Sequence, residues 1–311
     1  MKPFKVLIGY DGSACSKKAL YDLANAGLPA NVEAVVFTMA DTWPVIGQSA
    51  KPAAQDWVAR AIEKNEKRRQ RLVDDAKQLA REAAETLRGR YPGWTLRAEA
   101  KADDPAWGIV LFSDAWKPDL IVLGCHGRST LGRFFLGSVS QKVLVYARGS
   151  VRIVHPGTTE TRPLRLVLGF DGSSNARCAV YQVARRVWPK GTQVRLVSVI
   201  DAKIANLIVT GMALRRGRTG GGHRRFWMKQ VLQPALQELK KAGLQAKTVI
   251  LEGDPDSLLI REAKRWRAHC LFVSARGLMA VDRFLLGSVS THVAANAPCS
   301  VEVVRGIKIK K

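Results

Sequence analysis

The sequence predicts an α/β protein made of two tandem doubly wound domains, each with a five-stranded parallel sheet. Three observations carry this. Short β-rich apolar runs alternate with helical stripes along the chain, as in a parallel sheet covered by helices on both faces. Two ordered segments occur twice: Val6-Leu-Ile-Gly-Tyr-Asp-Gly-Ser13 returns as Val167-Leu-Gly-Phe-Asp-Gly-Ser173, and Arg133-Phe-Phe-Leu-Gly-Ser-Val-Ser140 returns as Arg283-Phe-Leu-Leu-Gly-Ser-Val-Ser290. The length of 311 residues suits about two ordinary domains.

The elements follow in order. Residues 4–9 form a short β-rich run, and 13–26 carry Ala19, Leu20 and Leu23 on one helical face. Val32 to Met39 reads as a second strand. Residues 56–88 hold Val58, Ile62, Leu72, Val73, Leu79, Ala80, Ala83 and Leu87, a 3.6-period stripe with charge on the other faces. Residues 95–100 are a weaker strand and 105–116 a helix. Leu120–Gly124 is a buried-type strand, 138–147 a helix, and Val151-Arg-Ile-Val154 the last strand. The second unit repeats the scheme, with strands at 164–168, 194–200, 246–250, 270–274 and 301–304 and a helix at about 226–242. The repeat offset is 160 residues at the start of each unit and 150 near its end, so the second unit is shorter in between. His155-Pro-Gly-Thr-Thr-Glu-Thr-Arg-Pro163 suits a linker, which places the domains at 1–156 and 163–306.

Composition excludes several classes. With 47% hydrophobic and 24% charged residues the chain can build cores, so it is not disordered. No apolar run reaches the ~20 residues of a membrane span. The first apolar stretch is too short for a signal peptide and meets Asp11 at once, so the chain reads as cytoplasmic. Cys15, Cys125, Cys178, Cys270 and Cys299 are scattered without a Cys-x-x-Cys, which argues against a disulfide framework or zinc finger. Net charge is +24: residues 1–156 hold 23 Lys+Arg against 16 Asp+Glu, and 157–311 hold 27 against 10. Such a balance fits either an anionic partner or simple solubility. The densest basic stretch, residues 211–229, reads as a glycine-rich loop that is either solvated or docks an anionic partner.

The chemistry gathers after strand 120–124. That strand runs into Gly124-Cys-His-Gly127, and Gly137-Ser138 opens the next helix. Glycines there let backbone approach a ligand, and a helix N-terminus favours an anion. Ser138 and Ser140 add hydroxyls, so strand, loop and helix start form a phosphate cradle rather than mere turns. There is neither a Gly-x-Gly-x-x-Gly nor a Walker A pattern. Asp11 follows the first strand and should face the same crevice, to accept from a ribose, help hold Mg²⁺, or cap the next helix alongside Ser13. Cys125 and His126, being adjacent, should point apart and rarely chelate one metal without distant partners, so a metal site there is the less favoured reading. Cys15 and Cys125 should both border the crevice, where they are either core residues or a redox-sensitive pair. No nucleophile–base pattern involves His126, His155, His223, His269 or His292, so any ATP hydrolysis would rest on positioning and be slow.

The spacing Gly-x2-Gly-x9-Gly-Ser, the opening Asp-Gly-Ser and the segment Glu252-Gly-Asp-Pro255 resemble the universal stress protein family, and the doubled unit resembles its tandem-domain members. The resemblance spans nearly the whole chain. It implies a five-stranded nucleotide-binding fold of the HUP type that pairs through its last strand, and members that bind ATP, alongside a class with degenerate loops that does not. Carried onto this sequence, Gly124, Gly127, Gly137 and Ser138, with Val139 and Ser140 behind them, match the loop holding ribose and phosphates. Gly9, Tyr10 and Asp11 match the first-strand segment beside the nucleotide, and Met39 the backbone contact to adenine. Arg128 and Arg133 lie inside the loop and would neutralise phosphate. In the second unit Asp171, Val199, Gly277, Gly287 and Ser288 remain. Ser274 replaces the first glycine, Leu278 replaces Arg128, His269 replaces Asp119, and Asp103 stands in the first unit where Gly253 stands in the second. The expectation is an ATP site, with Mg²⁺ near Asp11, in the first unit and a weakened or empty one in the second. The implied role is a nucleotide-dependent stress-response sensor or regulator; its rivals are a slow Mg-dependent ATPase and an ATP-free basic interaction module. Val151–Val154 and Val301–Val304 should pair with each other within the chain or across a homodimer.

Overall fold

The computed structural model describes residues 2–40, 55–127, 136–157, 161–201, 221–275 and 286–306, with side chains in two helices starting at residues 63 and 225. The first unit runs β1 (Phe4–Gly9), α1 (Ala14–Asp22), a 3-10 turn (Leu23–Asn25), β2 (Val32–Ala40), α2 (Gln55–Arg90), β3 (Thr95–Ala102), α3 (Pro105–Trp116), β4 (Leu120–Gly124), α4 (Ser138–Tyr146) and β5 (Ser150–Val154). The second runs β6 (Arg165–Gly169), α5 (Ser174–Ala184), β7 (Gln193–Ile200), α6 (Gly221–Lys241), β8 (Gln245–Glu252), α7 (Pro255–Arg265), β9 (Cys270–Ser274), α8 (Ser288–Asn296) and β10 (Ser300–Val304). Helix α6 begins at Gly221, several residues before the expected start, and so takes in the end of the glycine-rich stretch.

The ten strands of the described residues form one sheet in the order β3-β2-β1-β4-β5-β10-β9-β6-β7-β8. Pairing is parallel inside each unit and antiparallel only between β5 and β10. Each unit therefore covers the other's exposed edge, the intramolecular form of the two expected pairings. Alternation along the strands divides the core. Leu7, Ile121, Leu123, Val151 and Ile153 face α3 and α4, and Val167, Leu271, Val301 and Val303 continue the same apolar layer under α7 and α8. On the other face, Val6, Ile8, Leu120 and Val122 pack under α1 and α2, and a separate cluster lies under α5 and α6.

Between these two clusters the sheet buries charge. In the β5–β10 register Arg152 stands opposite Glu302, and the 150-residue offset makes them equivalent positions. Arg152 Nε donates to Asp22 Oδ2 at 2.8 Å and Nη1 to Glu302 Oε2 at 3.3 Å. Arg186 donates to both Glu302 oxygens, one at 2.9 Å. Both charges of the central pair are fully buried, and Asp22 and Arg186 nearly so. Burial opposes the Arg152 charge, and Asp22, Cys270 and Glu302 more than offset it, so its pKa lies above the ordinary arginine value. Like units pairing through this strand would oppose Arg152 to Arg152, or Glu302 to Glu302, in a desolvated position. Pairing of unlike units instead sets opposite charges side by side.

The linker side is pseudo-symmetric too. His155 Nε2 donates to the Ala294 carbonyl at 2.9 Å, and the equivalent Arg305 donates to the Leu144 carbonyl. The Val187 N–H donates to the Gly27 carbonyl at 3.0 Å.

Candidate functional site

In the first unit the strand order reverses beside β1, so the carboxyl ends of β1 and β4 open a crevice, the usual ligand position in such sheets. Gly9 ends β1, and the Tyr10 N–H donates to the Phe37 carbonyl at 3.0 Å. The Tyr10 phenol pKa is raised, first by burial and then by Asp11. Asp11 Oδ1 accepts from the Ser13 N–H at 3.0 Å, and Ser13 is the N-cap of α1, its Oγ accepting from the Ser16 N–H at 3.2 Å. Of the two expected capping residues Ser13 does the capping, and Asp11 holds the turn before it. Met39, near the end of β2, is half-buried, and its side chain lies against Gly108 of α3.

Each loop glycine has its own reason. A Cβ on Gly124 would stand 2.8 Å from backbone atoms of Cys15 and Ser16, so glycine lets α1 lie directly on the end of β4. A Cβ on Gly127 would stand 3.0 Å from Asp11 Oδ2, which brings the loop and first-strand motifs together. The Gly137 N–H donates to the Cys125 carbonyl at 2.8 Å, folding the helix start back over the loop. Gly137 is the N-cap of α4, and among the described residues no side chain caps that end. Its first N–H groups, with the dipole behind them, are left for solvent or an anion. Ser138 is exposed and Val139 half-buried; Ser140 is buried, and its hydroxyl donates to the Gly124 carbonyl at 2.7 Å, so that proton holds the turn. Arg128 and Arg133 lie outside the described residues.

The second unit keeps much of this frame. Asp171 Oδ1 accepts from the Ser173 N–H at 2.9 Å, the Gly287 N–H donates to the Ala275 carbonyl at 2.8 Å, and Gly287 starts α8 without a side-chain cap. Ser288 is exposed and Val199 half-buried. Gly277 and Leu278 lie outside the described residues. The left-handed non-glycines among the described residues are Lys117 and Arg267, so Ser274 sits on ordinary backbone without strain. What Gly124 satisfies is a close approach of α1, not an unusual dihedral. Asp103 likewise avoids the left-handed φ of +136° that Gly253 adopts, and its Oδ1 takes the Asp104 N–H at 2.7 Å. Asp104 then caps α3 through the Ala106 and Trp107 N–H groups. The backbone hydrogen bond from Trp107 leads in holding the Asp104 carboxyl below the usual range. His269 does the work of Asp119: its Nδ1 accepts the Arg165 N–H at 3.0 Å where Asp119 Oδ2 accepts that of Lys5 at 2.8 Å.

One expectation is overturned. Cys125 and His126 do not point apart: Cys125 Sγ lies 3.0 Å from His126 Nδ1 and 3.4 Å from Cys15 Sγ. Backbone at the end of β4 curls as it leaves the strand, and the strict alternation behind the expectation no longer applies. Burial, then Cys15, pushes the Cys125 thiol up to about 12. Spacing alone could flag only the Cys125-His126 pair, because Cys15 arrives from 110 residues away.

Of the basic stretch, residues 211–220 and the side chains to 224 lie outside the described residues. Arg225 reaches Glu252 and the Ile250 carbonyl, bordering a shallow hollow with Phe226, Lys229 and Thr248. No helix among the described residues is long and apolar enough to cross a membrane.

The profile of the universal stress protein family matches residues 4–155 and 164–305. A universal stress protein of Mycolicibacterium smegmatis is 28% identical over 97% of both chains, and one of Mycobacterium tuberculosis is 28% identical over 98% of both. Among solved structures, a universal stress protein from Archaeoglobus fulgidus superposes with a TM-score of 0.62 at 20% identity, covering 98% of this chain and 97% of its own. A doubled repeat, a sheet that reverses beside its first strand and a glycine loop closed against Asp11 therefore stand in a chain that belongs to the universal stress protein family.

Proposed function

We propose that the first unit binds an adenine nucleotide, with Mg²⁺, in the crevice between β1 and β4, and that the chain acts as a nucleotide-dependent regulator rather than a high-turnover enzyme. The observation that carries this reading is the closure of Gly127 onto Asp11 beside the uncapped start of α4. A cradle a Cβ would fill, next to free helix N–H groups, suits a ribose–phosphate group. Gly127, Gly137, Ser138 and Val139 would surround the phosphates, Asp11 the ribose or Mg²⁺, and the backbone at Met39 the base. Bound Mg·ATP would supply a polyanion whose charge the α4 dipole and the basic loop offset. The second unit keeps Asp171, Val199, Gly277, Gly287 and Ser288 but has Leu278 where the first has the basic Arg128, beside Ser274 for Gly124, and is proposed as the weaker or empty site.

Regulation would follow from differential affinity of the nucleotide for two states of the chain. Calorimetric titration with Mg·ATP at moderate salt, beside Gly127→Val, tests the reading. One site per chain, lost in the variant, is expected. Two equal sites would overturn the asymmetry, and no heat in a chain purified free of nucleotide would overturn the nucleotide site itself.

A further inference from the structure

We propose that Cys15, Cys125 and His126 form a binding site for a zinc-class divalent cation at the base of the first unit's crevice. It goes beyond the nucleotide reading and does not depend on it.

The three donors converge from separate places: Cys15 from the first turn of α1, Cys125 and His126 from the end of β4. Their ligand atoms all lie within 4.8 Å of one another. The sulfurs are 3.4 Å apart, and Cys125 Sγ is 3.0 Å from His126 Nδ1. Tetrahedral zinc with ordinary Zn–S and Zn–N lengths would separate two thiolates by about 3.8 Å and a thiolate from an imidazole nitrogen by about 3.6 Å. The Cys15–Cys125 and Cys125–His126 separations reach those values by opening about half an ångström, and Cys15 and His126 already lie within 4.8 Å of each other. Cys125 is buried, whereas Cys15 and His126 are partly exposed. A cation held by the three would keep a fourth position toward solvent, as open zinc sites do. His126 Nδ1 is the nitrogen turned to the sulfur, and Nε2 is buried without a hydrogen-bond partner among the described residues.

The second unit shows that the fold does not require these side chains. Asn175, Ala275 and Arg276 occupy the three equivalent positions. Ala275 makes both backbone bonds that Cys125 makes: its N–H donates to Val304 as that of Cys125 does to Val154, and its carbonyl accepts from Gly287 as that of Cys125 does from Gly137. The sulfur at position 125 is thus not needed for the turn. Two thiols and an imidazole, present in one unit and absent from its twin, are the donor set that selects zinc over magnesium or calcium.

The full chain, reduced and stripped of metal, would be titrated with Co²⁺ as a spectroscopic substitute. The expected result is one tetrahedral cobalt per chain with thiolate-to-metal charge-transfer absorption, displaced by an equivalent of Zn²⁺. Cys15→Ser should weaken binding at least tenfold, and Cys15→Ser with Cys125→Ala should remove the charge-transfer band. Alanine is chosen because Ala275 already serves at that position, and far-UV circular dichroism confirms that the variant folds. An octahedral spectrum without charge transfer, or a band that survives in the double variant, overturns the proposal.

Discussion

Replacing Glu302 by glutamine tests the account of how the two units are joined. Glu302 accepts from Arg152 and from Arg186, and all three side chains are buried. With Asp22 the group is electrically balanced. Glu302→Gln keeps the volume and leaves a net positive charge enclosed by protein. Removing one partner of a buried pair costs about 3–5 kcal/mol, because the remaining charge keeps its desolvation penalty and loses its compensation. Against a urea dependence of about 3 kcal/mol per molar, the unfolding midpoint should fall by about 1 M or more. Adding Arg186→Met restores the balance, leaving Asp22 with Arg152. The double variant should therefore be more stable than Glu302→Gln alone, with a coupling of about 0.5–3 kcal/mol. Urea titration of the four proteins, followed by tryptophan fluorescence, measures both quantities. A Glu302→Gln loss under about 1 kcal/mol, or a double variant no better than the single, would refute the reasoning.

Three further outcomes follow from single residues. Burial lowers the pKa of both His155 and His269 below the ordinary 6.5, so the unfolded chain binds protons that the folded chain refuses. Stability is then complete above about pH 6.5 and falls as pH drops below it, by up to about 1.4 kcal/mol per pH unit for each histidine. Urea midpoints from pH 8 to 5 should show this slope, and His155→Gln should flatten it. Gly124→Ser should cost about 1–3 kcal/mol, since the new Cβ meets the backbone of Cys15 and Ser16 at 2.8 Å, and Ser274→Gly should cost less than that; thermal melts of both compare them. Asp104→Ala removes the acceptor of the Ala106 and Trp107 N–H groups and should cost about 1 kcal/mol, seen in the same melts.

Much of the fold was legible in the chain. Strand and helix periods are local properties, and the elements expected from them match the described elements to within a few residues, the start of α6 excepted. The meeting of the Asp11 and Gly127 segments was also foreseeable, because strand order in a doubly wound sheet brings the first and fourth carboxyl ends together. Ser140 shows the limit: a hydroxyl after a glycine reads as a free donor until the Gly124 carbonyl is found beside it. Ser274 and Asp103 show another, since a missing glycine means strain or nothing depending on a dihedral that the residue type does not reveal.

The sequence by itself determined the repeat, the two α/β units and the family, because repetition and periodicity are written in neighbouring residues. Only the tertiary structure decided that Arg152 meets Glu302, that His269 takes the Arg165 N–H as Asp119 takes that of Lys5, and that Cys15 joins Cys125 and His126. Those contacts join residues more than a hundred positions apart. Their partners are chosen by sheet register and by the crossing of helices over strands, which no local pattern encodes.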